Sequence, residues 1–136
     1  MTDARPHAAA TTAAVPAPTE RELEVLKILW DLGSASVREV YDVMRRREDL
    51  AQNTVQTFLR MMEEKGLVSH KTEGRTFIYQ PLYTRERTLS RFLNRVFDGA
   101  VDQLVMNALR VKKLSEGEMD ALERIVRDAR KAAKGK

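Results

Sequence analysis

The stretch from Asn53 to Pro81 constrains the fold more than any other part of this chain. It opens with a helical pattern carrying two opposed stripes. Val55, Phe58, Leu59 and Met62 recur at i, i+3, i+4, i+7, and Asn53, Gln56, Thr57 and Arg60 recur at the same spacing. One stripe must be buried and the other must face outward. With Asn53 as N-cap and Gly66 as terminator, the pattern predicts a helix starting near Asn53 and ending before Gly66. Two runs then flank a Glu73-Gly74 turn, Leu67-Val68-Ser69-His70-Lys71 and Thr76-Phe77-Ile78-Tyr79. Their β-branched and aromatic residues predict a β-hairpin, which Pro81 stops.

Two helices precede this unit. Thr19-x-x-Glu22 is a capping box followed by Leu23, Leu26, Leu29 and Trp30, with Gly33 as the stop. Ser36-x-x-Glu39 is a second box, with Val37, Val40, Tyr41 and Met44 as the apolar face. The Arg45-Arg46-Arg47 run suits that helix's negative end. Three short helices followed by a hairpin is the order of a winged helix-turn-helix. Trp30 and Tyr41 are expected as core anchors.

Residues 84–136 return to helical periodicity. Leu89, Phe92, Leu93 and Val96 form one stripe before Gly99 interrupts, and Val101, Leu104, Val105 and Ala108 form a second. A third box, Ser115-x-x-Glu118, opens a helix in which Met119, Leu122, Val126, Ala129 and Ala133 alternate spacings of three and four, a heptad-like seam. Helices this short cannot bury such faces alone, so a second copy of the chain is the expected cover, with Leu89, Phe92, Leu93, Val96, Leu104, Val105, Leu122 and Val126 at the dimer contact. The expected organisation is therefore a disordered Ala/Thr/Pro tail over 1–18, a winged helix-turn-helix domain over 19–83, and a helical dimerisation domain over 84–136. The fold class is mainly α with a small β-hairpin wing.

Composition removes most chemistry. The chain has no Cys, so thiol catalysis, thiolate zinc sites and iron–sulfur clusters are excluded. His7 and His70 are its two histidines, which argues against an all-protein transition-metal site. Phosphate-cradling loops, H-E-x-x-H pairs and nucleophile elbows are absent, and Glu63-Glu64 reads as solvated surface. The chain is not expected to be an enzyme or to carry a cofactor. It has no apolar run long enough to span a bilayer, and a soluble cytoplasmic protein is expected. Net charge is +4, which permits nucleic-acid binding. Residues 1–83 carry −1 and residues 84–136 carry +5. If the first half binds DNA, its basic residues must converge on one face.

The polar stripe supplies the residue types that such a face needs. Asn53 and Gln56 can read adenine, Arg60 can read guanine or hold a phosphate, and the Thr57 methyl can touch thymine. Lys71, Arg75 and His70 flank the hairpin turn, where a wing would meet the backbone, and Arg38 and the Arg45-Arg46-Arg47 run can add further phosphate contacts. Tyr79 can either pack or offer its hydroxyl. The alternative is a winged-helix protein-interaction module, in which Arg60, Lys71 and Arg75 need not converge. An RNA-binding winged helix would call for exposed aromatics at the wing tip, and none is expected there.

The stretch Glu20–Leu109 resembles the penicillinase-repressor family of winged-helix regulators, the BlaI/MecI type with its copper-responsive CopY relatives. The residues that carry the resemblance are Leu23–Trp30, Val37–Val40, Asn53–Arg60 with Lys65–Val68, and Glu73-Gly74-Arg75 with Tyr79–Leu82. The resemblance implies a homodimer on a palindromic double-stranded DNA operator, repressing by promoter occlusion. It places Thr54, Gln56, Thr57 and Arg60 on the helix facing DNA and Arg75 in the wing. Copper-responsive relatives use a C-terminal cysteine motif, which this chain lacks. Antibiotic-responsive relatives are cut by a sensor protease at an Asn-Phe bond in the dimer domain. The matching bond here is Asn107–Ala108, with Ala in place of Phe.

Overall fold

A computed structural model describes residues 15–135. The expected tail lies outside the described residues up to position 14. Helix α1 (Glu20–Leu32) begins as its sequence requires: the Glu22 amide donates to Thr19 Oγ1 (3.2 Å) and the Thr19 amide donates to Glu22 Oε1 (2.9 Å). Gly33 closes it at φ +85°, a conformation glycine adopts without strain. Strand β1 (Ala35–Ser36) leads directly into α2 (Val37–Met44), where Ser36 and Glu39 form a second reciprocal cap.

Helix α3 (Gln52–Glu64) departs from expectation at its start. Its N-cap is Ala51, in extended backbone with no side-chain cap, and Asn53 is already a helical residue. The Ala51 carbonyl accepts from Thr54 (3.0 Å), so the first helical hydrogen bond forms before Asn53 can serve as a cap. The Asn53 side chain is thereby left exposed on the outer face.

Strands β2 (Val68–Glu73) and β3 (Thr76–Pro81) form the hairpin, with Glu73 opposite Thr76 and a two-residue Gly74-Arg75 turn. Gly74 sits at φ +64° in the first turn position, which matches the right-handed twist of the ribbon. Pro81 does not precede the strand end but forms it, paired with Val68. The sheet has three strands, in the order β1-β3-β2, because Ala35 and Ser36 pair with Tyr79 and Ile78. Two residues carry too little pattern to be read as a strand, and Ser36 is also a helix cap.

The core lies where α1, α2 and α3 meet the inner sheet face. Val25, Leu26, Leu29, Val40, Val55, Leu59, Met62, Leu67 and Val68 are essentially inaccessible to solvent. Trp30 and Tyr41 pack against this cluster, and Trp30 Nε1 donates to the Tyr83 carbonyl at 2.9 Å. Val15, inside the stretch expected to be a tail, is only 5% exposed and belongs to the same cluster. A Cβ at Gly66 would meet its methyl at 3.3 Å.

Two units divide near residue 89, the second being Ser90–Lys136. Helix α4 (Arg85–Phe97) crosses that division, and α5 (Val101–Val111) and α6 (Glu116–Lys134) follow, the last with a reciprocal Ser115/Glu118 cap. No residue in α4, α5 or α6 is buried. Leu93, Leu104 and Leu122 are half-buried, while Leu89, Phe92, Val96, Val105 and Val126 are exposed. No helix among the described residues is long and apolar enough to cross a membrane.

Candidate nucleic-acid interface

Burying Val55, Leu59 and Met62 fixes the rotation of α3, so Asn53, Thr54, Gln56, Thr57 and Arg60 are all exposed. The Thr57 hydroxyl donates to the Asn53 carbonyl one turn earlier (3.0 Å). A cleft of about 720 Å³ opens between this helix and the wing. Gln52, Gln56, Arg60 and Glu63 form its floor, and Arg38 closes the end nearest α2. Arg75, Thr76, Phe77, His70 and Tyr79 line the wing side.

Arg38 is held in place rather than waving in solvent. Its guanidinium pairs with Asp42 (3.2 Å) and lies over the Tyr41 ring, 5.7 Å from the centroid, while Arg45 pairs with the same Asp42 (3.5 Å) and shares the same ring. Two guanidinium groups on one carboxylate leave a net positive charge beside the start of α3, whose amide end also favours anions. Of the arginine run expected to contact phosphate, Arg45 is the residue this arrangement holds beside Arg38.

Strand alternation sorts the remaining wing residues. His70, paired with Tyr79, faces inward, whereas Lys71, paired with Ile78, projects from the opposite sheet face. Lys71 therefore does not line the cleft with Arg60 and Arg75. His70 is not a free wing cation either: its Nδ1 donates to the Glu63 carboxylate, 2.8 Å from each oxygen, and its ring stacks on Phe77 at 4.0 Å. Phe77 is 47% exposed, so the wing does present an aromatic, contrary to expectation. Tyr79 is buried, and burial, reinforced by the Glu63 charge and opposed by Arg60, raises its hydroxyl pKa.

The far end of α3 is anchored by an ion pair. Burial opposes ionisation of Glu22, yet the Lys65 ammonium and the Thr19 cap hold its carboxyl below the usual range. Arg21 bridges Glu48 and lies over Phe58, 5.3 Å from its centroid. These contacts fix α3 against α1 without using any cleft residue.

A family profile described as "Penicillinase repressor" matches residues 18–128. The chain belongs to the penicillinase repressor family. It is 32% identical over 119 residues to the penicillinase repressor of Bacillus licheniformis, covering 84% of this chain and 92% of that one. It is 27% identical over 109 residues to the methicillin resistance regulatory protein MecI of Staphylococcus aureus, covering 77% and 89%. Among solved structures it is similar to the monomeric form of B. licheniformis BlaI in complex with the blaP half-operator. That match has 32% identity and a TM-score of 0.47, over 54% of this chain and 89% of that one. These relatives are repressors and not enzymes. Among the described residues no cluster of three or more His, Cys, Asp or Glu is arranged to hold a metal ion.

The Asn107–Ala108 bond, expected from the resemblance as the counterpart of a cleavage position, falls inside α5. Asn107 is half-buried, and its amide donates to the Gln103 carbonyl one turn earlier at 2.8 Å. The Asn107–Ala108 bond is therefore part of a regular helix.

Proposed function

We propose that this member of the penicillinase repressor family is a sequence-specific DNA-binding repressor that occupies a palindromic operator as a homodimer. The observation that carries the reading is the shared cleft. Arg60 and Gln56 on the outward face of α3, Arg38 beside its start, and Arg75 on the wing line one open surface, although residues 1–83 are net negative. A helix of this kind fits a major groove, with Gln56, Thr57 and Arg60 toward base edges and Arg38 and Arg75 toward phosphates. A protein-interaction module has no need for this convergence.

The homodimer reading rests on the apolar surface of residues 90–136. A groove of about 800 Å³ runs between α5 and α6, lined by Val105, Leu109, Met119, Leu122 and Val126. A second copy would cover it, and two-fold symmetry would set two recognition helices about 34 Å apart on an inverted repeat. We take residues 84–136 as the dimerisation domain on this basis. Relief by a sensor protease at Asn107–Ala108 would demand that α5 open first, since a helical bond is cut only from a locally unfolded state.

The test is titration onto labelled duplex from upstream of the chain's own gene, against random duplex of equal length, at two salt concentrations. A preference of about 10³-fold or more is expected. Equal, steeply salt-dependent binding to both duplexes would mean non-specific association, and no binding to either would favour the protein-interaction module.

A further inference from the structure

The outer half of the wing has little to hold it. Strand β1 supports β3 only as far out as Ile78, so Thr72–Phe77 is a bare two-stranded ribbon with exposed side chains throughout. Such a ribbon is marginal by itself in water. Arg75, at its tip, lies five residues beyond His70 along the chain, a lever of about 15 Å. A swing of about 10° at the base would carry the tip by about 3 Å, far more than a charge-assisted hydrogen bond tolerates.

One tie crosses from this ribbon to the recognition helix at the required place. His70 on β2 donates to Glu63 on α3, and the imidazole lies between Phe77 on its outer side (4.0 Å, 16° interplanar) and Tyr79 (5.5 Å). His70 is thus bonded to the helix and stacked on the strand that carries the turn. Glu63 continues the outward stripe of Gln56 and Arg60, at i+7 from Gln56. Its carboxylate would stand in a cleft meant for phosphates, and the bond to His70 occupies both of its oxygens.

We propose that His70 is a positioning residue: bridged to Glu63 and stacked on Phe77, it sets the wing's angle against α3 so that Arg75 reaches the DNA backbone. This rests on the DNA-binding reading above. It makes the Arg75 contact conditional on two residues that need not touch DNA themselves.

The test is a cycle read by salt dependence, using the full chain and the promoter duplex. In the native background Arg75→Ala should lower the slope of log K against log salt by about one, the loss of one phosphate contact. In the His70→Ala background the same substitution should change the slope by almost nothing, because Arg75 has already lost its partner. Glu63→Ala should act like His70→Ala, and Glu63 is a half-buried helical position where Ala is well tolerated. Glu63→Gln keeps an acceptor for the imidazole N–H and should restore the Arg75 contribution. An Arg75 effect of about one in all backgrounds would overturn the positioning role and leave the interface standing. No Arg75 effect in the native background would remove the wing from the interface, and the positioning role with it. Loss of stability alone would lower affinity without altering the Arg75 increment, so the two explanations separate.

Discussion

Replacing Val126 by Glu puts the dimer reading at risk with little effect on the folded chain. Val126 is 56% exposed on α6 and lines the apolar groove with Leu122, Met119 and Val105. Glu is at least as good a helix former as Val, so α6 should persist. In a dimer that covers the groove, the substitution removes the remaining burial of one valine, about 1 kcal/mol. It also forces a carboxylate out of water, which costs several kcal/mol when unpaired. About 2–4 kcal/mol per protomer is a cautious total, and two-fold symmetry applies it twice, giving about 4–8 kcal/mol. The dimer dissociation constant should rise about a thousandfold or more. Sedimentation equilibrium from 1 to 100 µM (on the order of the range where such a shift is visible) reads this directly, with circular dichroism to confirm unchanged helix content. A Val126→Glu protein that remains dimeric at the lowest concentration would refute the assignment of this face, as would a native chain that is monomeric throughout.

Three further outcomes follow from the residues described. Arg60→Ala should weaken binding to the promoter duplex by about 1–3 kcal/mol if Arg60 reads a base; an equal loss on random duplex would make it a phosphate contact. Glu22→Gln keeps the helix cap but loses the charge pair with Lys65, and should cost about 1–2 kcal/mol at neutral pH by chemical denaturation. The folded-state pKa of Glu22 is depressed, so its contribution is complete above the ordinary glutamate value of about 4.3 and disappears as pH falls through the depressed value. The two proteins should therefore converge in stability in strong acid. Trp30→Phe leaves the Tyr83 carbonyl without its indole donor and gives Arg85 a smaller ring to lie over, for an expected loss of about 1–2 kcal/mol in thermal unfolding.

Much of this architecture could be read from the sequence because its signals are local. Thr19, Ser36 and Ser115 each cap a helix through a glutamate three residues on, and the chemistry of that pairing needs no tertiary information. The two stripes of α3 were legible for the same reason: a 3.6-residue period decides which side is buried. What could not be read depends on partners distant in the chain. Ala35–Ser36 becomes a strand only because Tyr79 and Ile78 arrive beside it. Val15 is core only because Gly66 leaves room for its methyl. Lys71 and His70 are neighbours in sequence, yet the register of the hairpin sends them to opposite faces, so a wing residue cannot be assigned to the cleft by proximity to the turn. The pairing of His70 with Glu63 links residues seven apart on different elements, and neither residue advertises it.

DNA binding through the α3–wing cleft is tested by mapping amide chemical shifts of the isotope-labelled chain as promoter duplex is added. Perturbations are expected along the outward face of α3 from Gln52 to Arg60, at Arg38, and around Gly74-Arg75 on the wing. Perturbations confined to the groove lined by Glu24, Lys27 and Arg47 would contradict DNA binding through the α3–wing cleft.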